Sequence, residues 1–314
     1  MSYSISFDDI VKAQERIRGF AYHTPTYRAF SEESLWLKLE GFQPVRSFKI
    51  RRASNKILSL SQDQMKRGVI TASSGNHGLA VAYVAHKLKI SAMIVLPKNV
   101  VPEKLEMIRS LGARVEFFGS QQDERMKKAT EIQKSEGLTF IQPFNDLQII
   151  AGQGTCGLEL VEDVPELETV FVPIGGGGLI SGVASAIKLK SSGIRVIGVQ
   201  PEGSPSMYES MKIGTPSGIR ESRTIADGLS VRKPGDITFS LVRKFVDEIV
   251  LVSDDEILWA TGQILKKEHV LVEPSGAASF AAVQKVRRET GKTERSAAII
   301  SGANISREMI AKIL

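Results

Sequence analysis

One cysteine, two tryptophans and an aromatic content of 6% in 314 residues set the first limits on this chain. A lone Cys156 cannot close an intramolecular disulfide or make a structural zinc site. An apolar core must therefore hold the fold, and the free thiol suits a reducing cytoplasm. Its flanks, Gly154-Thr155 and Gly157-Leu158, read as a helix start around a buried, inert thiol. No apolar run approaches the ~20 residues that crossing a bilayer needs. The N-terminus, Met1-Ser2-Tyr3-Ser4-Ile5-Ser6, lacks the basic-then-apolar order of a secretory signal. Nucleic acid is an equally poor partner. The net charge is +6, but Lys127, Lys128, Lys134, Lys188 and Lys190 read as solvated helix faces with no interleaved aromatics.

The chain does have an ordinary globular balance, 42% hydrophobic and 24% charged, over a length that calls for two domains or one large α/β unit. Short β-branched runs alternate with amphipathic stretches, the pattern of a mostly parallel α/β fold. Strands are expected at Leu35–Leu39, Val69–Ala72, Ala92–Leu96, Val115–Phe118, Val170–Ile174, Val196–Val199, Ile249–Val252 and Ala297–Ile300. Helices are expected at Phe7–Arg18, capped by Ser6, and at Pro102–Leu111, Asp254–Lys267 and Ile305–Leu314. No linker divides the chain, so two domains would have to share crossings; Pro201–Arg232 is the least regular stretch, a surface excursion or a site border.

Three strand ends carry chemistry. Thr169–Ile174 runs into four glycines, Gly175 to Gly178, and then a helix from Leu179. Amides freed at such a turn, with the helix dipole behind them, make a phosphate site. Ile180 stands where a dinucleotide fingerprint needs glycine, and no Gly-Lys-Ser/Thr follows, so a phosphorylated ligand other than NAD or ATP fits better. A glycine turn packed on a neighbouring strand is the alternative. Val69–Ala72 ends in Ser73-Ser74-Gly75-Asn76-His77, whose amides and hydroxyls suit a carboxylate, while the Asn76 amide suits a phenolic oxygen; a plain helix cap needs only one such residue. Ala297–Ile300 ends in Ser301-Gly302-Ala303-Asn304. Ligands of open α/β sheets bind beyond strand carboxyl ends, so three such turns suggest one site. Lys49, flanked by Phe48 and Ile50, is either a snorkelling surface lysine or a desolvated amine of the Schiff-base kind.

Seven pieces, in order and at the right spacing between about residues 20 and 305, resemble the fold-type II pyridoxal-phosphate enzymes, in their serine/threonine dehydratase and serine racemase branch. They are Ser47-Phe48-Lys49-Ile50-Arg51, Ser73-Ser74-Gly75-Asn76-His77, Ala151-Gly152-Gln153-Gly154-Thr155, the glycine loop, Ile225-Ala226-Asp227-Gly228, Val272-Glu273-Pro274 and Ser301-Gly302. The resemblance implies two open twisted, mostly parallel sheet domains flanked by helices, as in the tryptophan synthase β subunit. Residues 1–49 and 148–314 would form the larger, cofactor-binding domain and residues 50–147 the smaller one. It implies pyridoxal 5′-phosphate attached to Lys49, with Phe48 beside the ring and Asn76 on the 3′ oxygen. The backbone of Gly175, Gly176, Gly177, Gly178 and Leu179 would hold the phosphate, and Ser301 would face the ring nitrogen. Ser73, Ser74, Gly75, Asn76 and His77 would wrap the substrate carboxylate. The implied activity is dehydration of L-threonine or L-serine to a 2-oxo acid and ammonia, in a cytoplasmic homodimer.

A serine at the ring nitrogen leaves the ring a weaker electron sink, which suits β-elimination or brief proton exchange better than transamination. Ser74 stands where dedicated threonine dehydratases commonly have alanine. With Lys49 it would give an acid/base on each face of the ring, and so a racemase as the alternative. A threonine-synthase-like enzyme and a catalytically silent cofactor-binding protein are further alternatives. The metal-ligand positions of the racemases align with Gln200 and Ser206, so no metal is expected. Arg46 and Arg52 replace glycines usual in the family; they either meet an acidic substrate or, the favoured reading, point to solvent. No appended regulatory domain is expected.

Overall fold

The computed structural model describes residues 3–73, 75–98, 100, 102–119 and 122–314. Ten strands occur among them: β1 (Thr26–Arg28), β2 (Leu35–Leu39), β3 (Val69–Ala72), β4 (Ala92–Leu96), β5 (Arg114–Phe117), β6 (Thr139–Phe140), β7 (Thr169–Pro173), β8 (Arg195–Pro201), β9 (Glu248–Val252) and β10 (Ser296–Ile300). They form two sheets, one in the order β1-β2-β10-β7-β8-β9 and one in the order β5-β4-β3-β6. Every pairing is parallel except β1 with β2. Helices cover the sheets, so β3, β4, β7 and β10 are buried along their whole length. That is why they read as unbroken apolar runs.

All eight expected strands are present within a residue or two. The two without a sequence signal, β1 and β6, are three and two residues long, too short for any periodicity to show. Ser6 caps the first helix in a full capping box with Asp9. The Asp254 helix ends at Gln263 and its final stretch, Ile264–Glu268, widens into a π turn.

Cys156 departs from expectation. It lies in the middle of the helix Leu147–Asp163, which Asp146 caps by accepting from the amides of Gln148 and Ile149. The glycines that look like a helix start serve instead to let two helices touch. A Cβ on Gly182, in the helix Gly178–Lys190, would sit 2.3 Å from the Ile150 carbonyl oxygen, so only glycine permits the contact. The thiol is fully buried, and burial pushes its pKa well above the ordinary value.

The core also holds charge. Arg51 is fully buried on the helix Lys49–Leu58. It donates to both Glu40 oxygens at 2.8 Å, to the two Glu159 oxygens at 2.6 and 2.7 Å, to Thr155 Oγ1 at 3.0 Å and to the Tyr22 carbonyl at 3.2 Å. Lys38, equally buried, meets Glu159 at 2.9 Å and Asp163 at 3.2 Å. Burial pushes the Glu40 carboxyl up, yet Arg51 and then Lys38 outweigh it and hold its pKa below the usual value. Truncating one member of so enclosed a set strands the others: Arg51→Ala should lower the free energy of unfolding by ~3–5 kcal/mol, measured by denaturant titration.

Arg46 is exposed, as expected, and adopts φ 55°. A side chain in that left-handed region costs roughly 1–2 kcal/mol, which explains why glycine is the usual residue of the resembling family here. Arg46→Gly should therefore stabilise the chain by ~0.5–1 kcal/mol after the added freedom of the unfolded state is subtracted, seen as a raised unfolding midpoint.

Candidate active site

Four helices begin at one cleft. Lys49–Leu58, Asn76–Leu88, Gly178–Lys190 and Pro274–Thr290 start at or beside Lys49, Asn76, Gly178 and Glu273, all of which line it. Their first-turn amides and dipoles make the cleft favourable to anions. Two of the three strand ends named in the sequence, those of β3 and β7, meet the start of the Lys49 helix here: Phe48, Lys49, Ser73, Gly75, Asn76, His77, Gly175, Gly176, Gly177, Gly178 and Leu179 share its wall. Ser74 lies outside the described residues. Ser301 stands behind the wall rather than in it.

Ser301 nevertheless shapes the site. Its carbonyl accepts from the Phe48 N–H at 3.1 Å, and Ser47 bridges to Gly302, so the end of β10 holds the start of the Lys49 helix. The Ser301 hydroxyl is buried and donates to the Ser275 carbonyl at 3.4 Å. The Lys49 amine sits 4.0 Å from the centre of the Phe48 ring. Burial, with Arg52 second, pushes its pKa well below the ordinary value against the pull of Glu273 and Asp227. A neutral amine at neutral pH is a nucleophile and a base.

Asn76 is held on both sides. Its Nδ2 donates to Glu273 Oε1 at 2.7 Å, and its Oδ1 accepts from Asn304 Nδ2 at 2.7 Å. One amide hydrogen remains free for a ligand. His77 is buried; its ring meets the Ile141 carbonyl through Nε2 at 3.2 Å, and burial, then the charge of Arg52, keeps it neutral.

The glycine loop is shaped for close approach. Gly177 has φ 93°, and a Cβ there would lie 2.7 Å from Met207 Cε and 2.8 Å from Thr238 Cβ. Thr238 donates to the Gly176 carbonyl at 2.8 Å, which occupies that oxygen. Pro201–Arg232 proves to hold the helix Ser206–Ile213 and, at Asp227 to Val231, part of the cleft border.

Arg52 corrects the sequence reading. It is only 5% exposed and lines the cleft instead of pointing to solvent. Position 52 lies three residues after Lys49 on one helix, and i, i+3 side chains share a face. Lys104, Phe144, Asp227 and Glu273 also line the cleft. Sequence reasoning gave them no role, because only the fold brings them near Lys49; Glu273 and Asp227 sat inside matched motifs, which was their one signal. At the racemase metal positions, Gln200 accepts from the Tyr208 amide at 2.8 Å and donates to the Ser204 carbonyl at 3.2 Å. Among the described residues no three His, Cys, Asp or Glu side chains gather as a metal site.

Burial, then Asp227, pushes Glu273 up to about 7 from an ordinary 4.5. An acid with a raised folded pKa keeps its proton after the unfolded chain has lost it, so folding weakens as pH rises from about 4.5 to about 7 and the loss then levels off. Glu273→Gln keeps the acceptor for Asn76 and removes the titration. In cofactor-free protein its stability relative to wild type should grow across that interval by as much as ~3 kcal/mol, read by denaturant titrations at several pH values.

Comparison with known proteins agrees with this geometry. A family model described as pyridoxal-phosphate dependent enzyme matches residues 17–302. The L-threonine ammonia-lyase of Thermotoga maritima is 44% identical over 99% of this chain and 78% of its own length. A catabolic L-threonine dehydratase of Escherichia coli is 39% identical over 98% of this chain and 96% of its own. Maize serine racemase superimposes with a TM-score of 0.94 at 36% identity, covering 99% of this chain and 97% of the other. The processed threonine deaminase isoform 2 of Solanum lycopersicum also gives 0.94, at 33% identity over 99% and 90%. A family match across most of the length, with relatives this similar end to end, places the chain among the pyridoxal-phosphate dependent enzymes.

Proposed function

We propose that this chain eliminates water from L-threonine and from L-serine, and that water then hydrolyses the resulting enamine, giving ammonia with 2-oxobutanoate or pyruvate. The observation that carries it is the Lys49 amine, its pKa pushed down by burial, in a cleft with a glycine-rich anion cradle at one wall and Ser73, Gly75, Asn76 and His77 at another. The relatives named for L-threonine support the substrate. These residues fit pyridoxal phosphate: Gly175 to Leu179 offer backbone N–H groups in a turn that a side chain would fill, and Asn76 keeps a free amide hydrogen for the phenolic oxygen. When bound, the cofactor supplies an electron sink that acidifies the substrate Cα–H.

Lys49 would hold the cofactor through its amine, and the same amine is placed to take the substrate Cα proton. Ser73, Gly75, Asn76 and His77 would orient the substrate carboxylate, and Phe48 would pack beside the cofactor. Glu273 and Asn304 fix the Asn76 amide so that its free hydrogen keeps its aim. The buried Ser301 hydroxyl would offer the ring nitrogen no acidic proton, which would favour elimination over transamination.

The close superposition on maize serine racemase supports a second reading, racemisation with Lys49 and Ser74 on opposite faces. Two domains, residues 1–49 with 148–314 and residues 50–147, are part of the same proposal. The six-stranded sheet draws only on segments 26–39 and 169–300, and the four-stranded sheet only on 69–140. A homodimer in a cytoplasmic setting completes it.

Incubation with each amino acid in deuterium oxide, followed by proton NMR, tests the reading. The expected result is keto acid from L-threonine and L-serine. Loss of the Cα proton with D-isomer and no keto acid would establish the racemase instead. Lys49→Ala should lower turnover by at least ~10³-fold and abolish the absorbance of the attached cofactor; undiminished turnover would remove Lys49 from the chemistry.

A further inference from the structure

Among the described residues Arg52 has no hydrogen-bond or ion-pair partner: it is 5% exposed, and its Nε is buried without an acceptor. The adjacent Arg51, by contrast, satisfies two carboxylates, a hydroxyl and a carbonyl. A guanidinium carries five donors in a planar fork and stays protonated near neutral pH, so enclosing one without an anion is costly. Its setting is the inner wall of the cleft. Arg52 shares a helix face with Lys49, its Cζ lies 5.9 Å from the centre of the Phe48 ring, and its charge bears on both Lys49 and His77. It lines the cleft together with residues at the N-termini of four helices. Arg46, the other arginine at a glycine position, is exposed and contributes nothing there.

We propose that Arg52 is an anion-binding residue of this cleft, which closes an ion pair with an oxyanion seated between Lys49 and His77. Two groups have that chemistry: the phosphate of the cofactor, and a carboxylate of the substrate, including the second carboxylate of an acidic 3-hydroxy amino acid. Either one gives the fork its bidentate partner. The inference rests on reading the cleft as the pyridoxal-phosphate site, and it makes this chain's recognition differ from that of relatives with glycine at the position.

The test compares wild type with Arg52→Gln and Arg52→Lys in two binding measurements. In the first, cofactor-free protein is titrated with pyridoxal phosphate, with pyridoxal lacking the phosphate, and with inorganic phosphate, each followed by fluorescence. In the second, the holoenzyme is titrated with malonate and succinate, followed by the cofactor's absorbance. Arg52→Gln should weaken at least one oxyanion by about tenfold or more and leave pyridoxal unchanged, while Arg52→Lys should recover part of the loss. Weaker phosphate binding with unchanged dicarboxylates assigns Arg52 to the cofactor; the reverse assigns it to the substrate. Unchanged affinity for all of them overturns the proposal. Folding gives an independent readout, because an unpaired buried charge burdens the free protein. Arg52→Gln should unfold at a higher temperature than wild type without anion, and added phosphate or succinate should narrow the gap. Failure of wild type to make keto acid would sink the dehydratase reading, yet these spectroscopic affinities would still decide the role of Arg52.

Discussion

A guanidinium that cannot reach water must be answered by the protein, and the answer to Arg51 organises this molecule. Glu40 follows β2, Glu159 and Thr155 come from the long central helix, and the Tyr22 carbonyl comes from the N-terminal segment. Each is drawn to the same side chain, so the rotation of the Lys49–Leu58 helix has little freedom. Two residues along a helix turn about 200°, so anchoring Arg51 inward drives Lys49 the opposite way, into the cleft. The Lys49 amine is thus aimed by an ion cluster that does not line the cleft.

The cleft balances opposed fields. Helix N-termini and Arg52 favour anions and disfavour a charged lysine, while Glu273 and Asp227 pull the other way. The same burial that pushes Lys49 down pushes Glu273 up, so each is drawn toward its uncharged form. A bound anion would change that balance at once. The site's protonation and its occupancy are one equilibrium rather than two.

Much of this was legible in the sequence, and the parts that were not share a cause. Strands buried on both faces announce themselves as apolar runs, so β3, β4, β7 and β10 were visible. The turns after β3, β7 and β10 were visible because small polar residues and glycines cluster there. Gly154 and Gly157 misled, because a glycine that breaks a helix and one that lets two helices meet look alike in one dimension. Arg52 misled for a related reason: charge favours solvent on average, and only the packing of its helix between two others shows that solvent is out of reach. The clamp of Glu273 and Asn304 on Asn76 spans 197 and 228 residues of chain, a separation at which local pattern carries no information.

Cys156 has a consequence of its own. Sealed between two helices with a thiol that resists ionisation, it offers oxidants no thiolate, and thiolate is the form they attack. With no second cysteine in the chain, no intramolecular disulfide can form as the enzyme ages. Cys156 does not line the cleft, so its oxidation state has no direct path to that site. A chain built this way can be purified, stored and assayed in air, with methionine oxidation as its remaining sulfur liability.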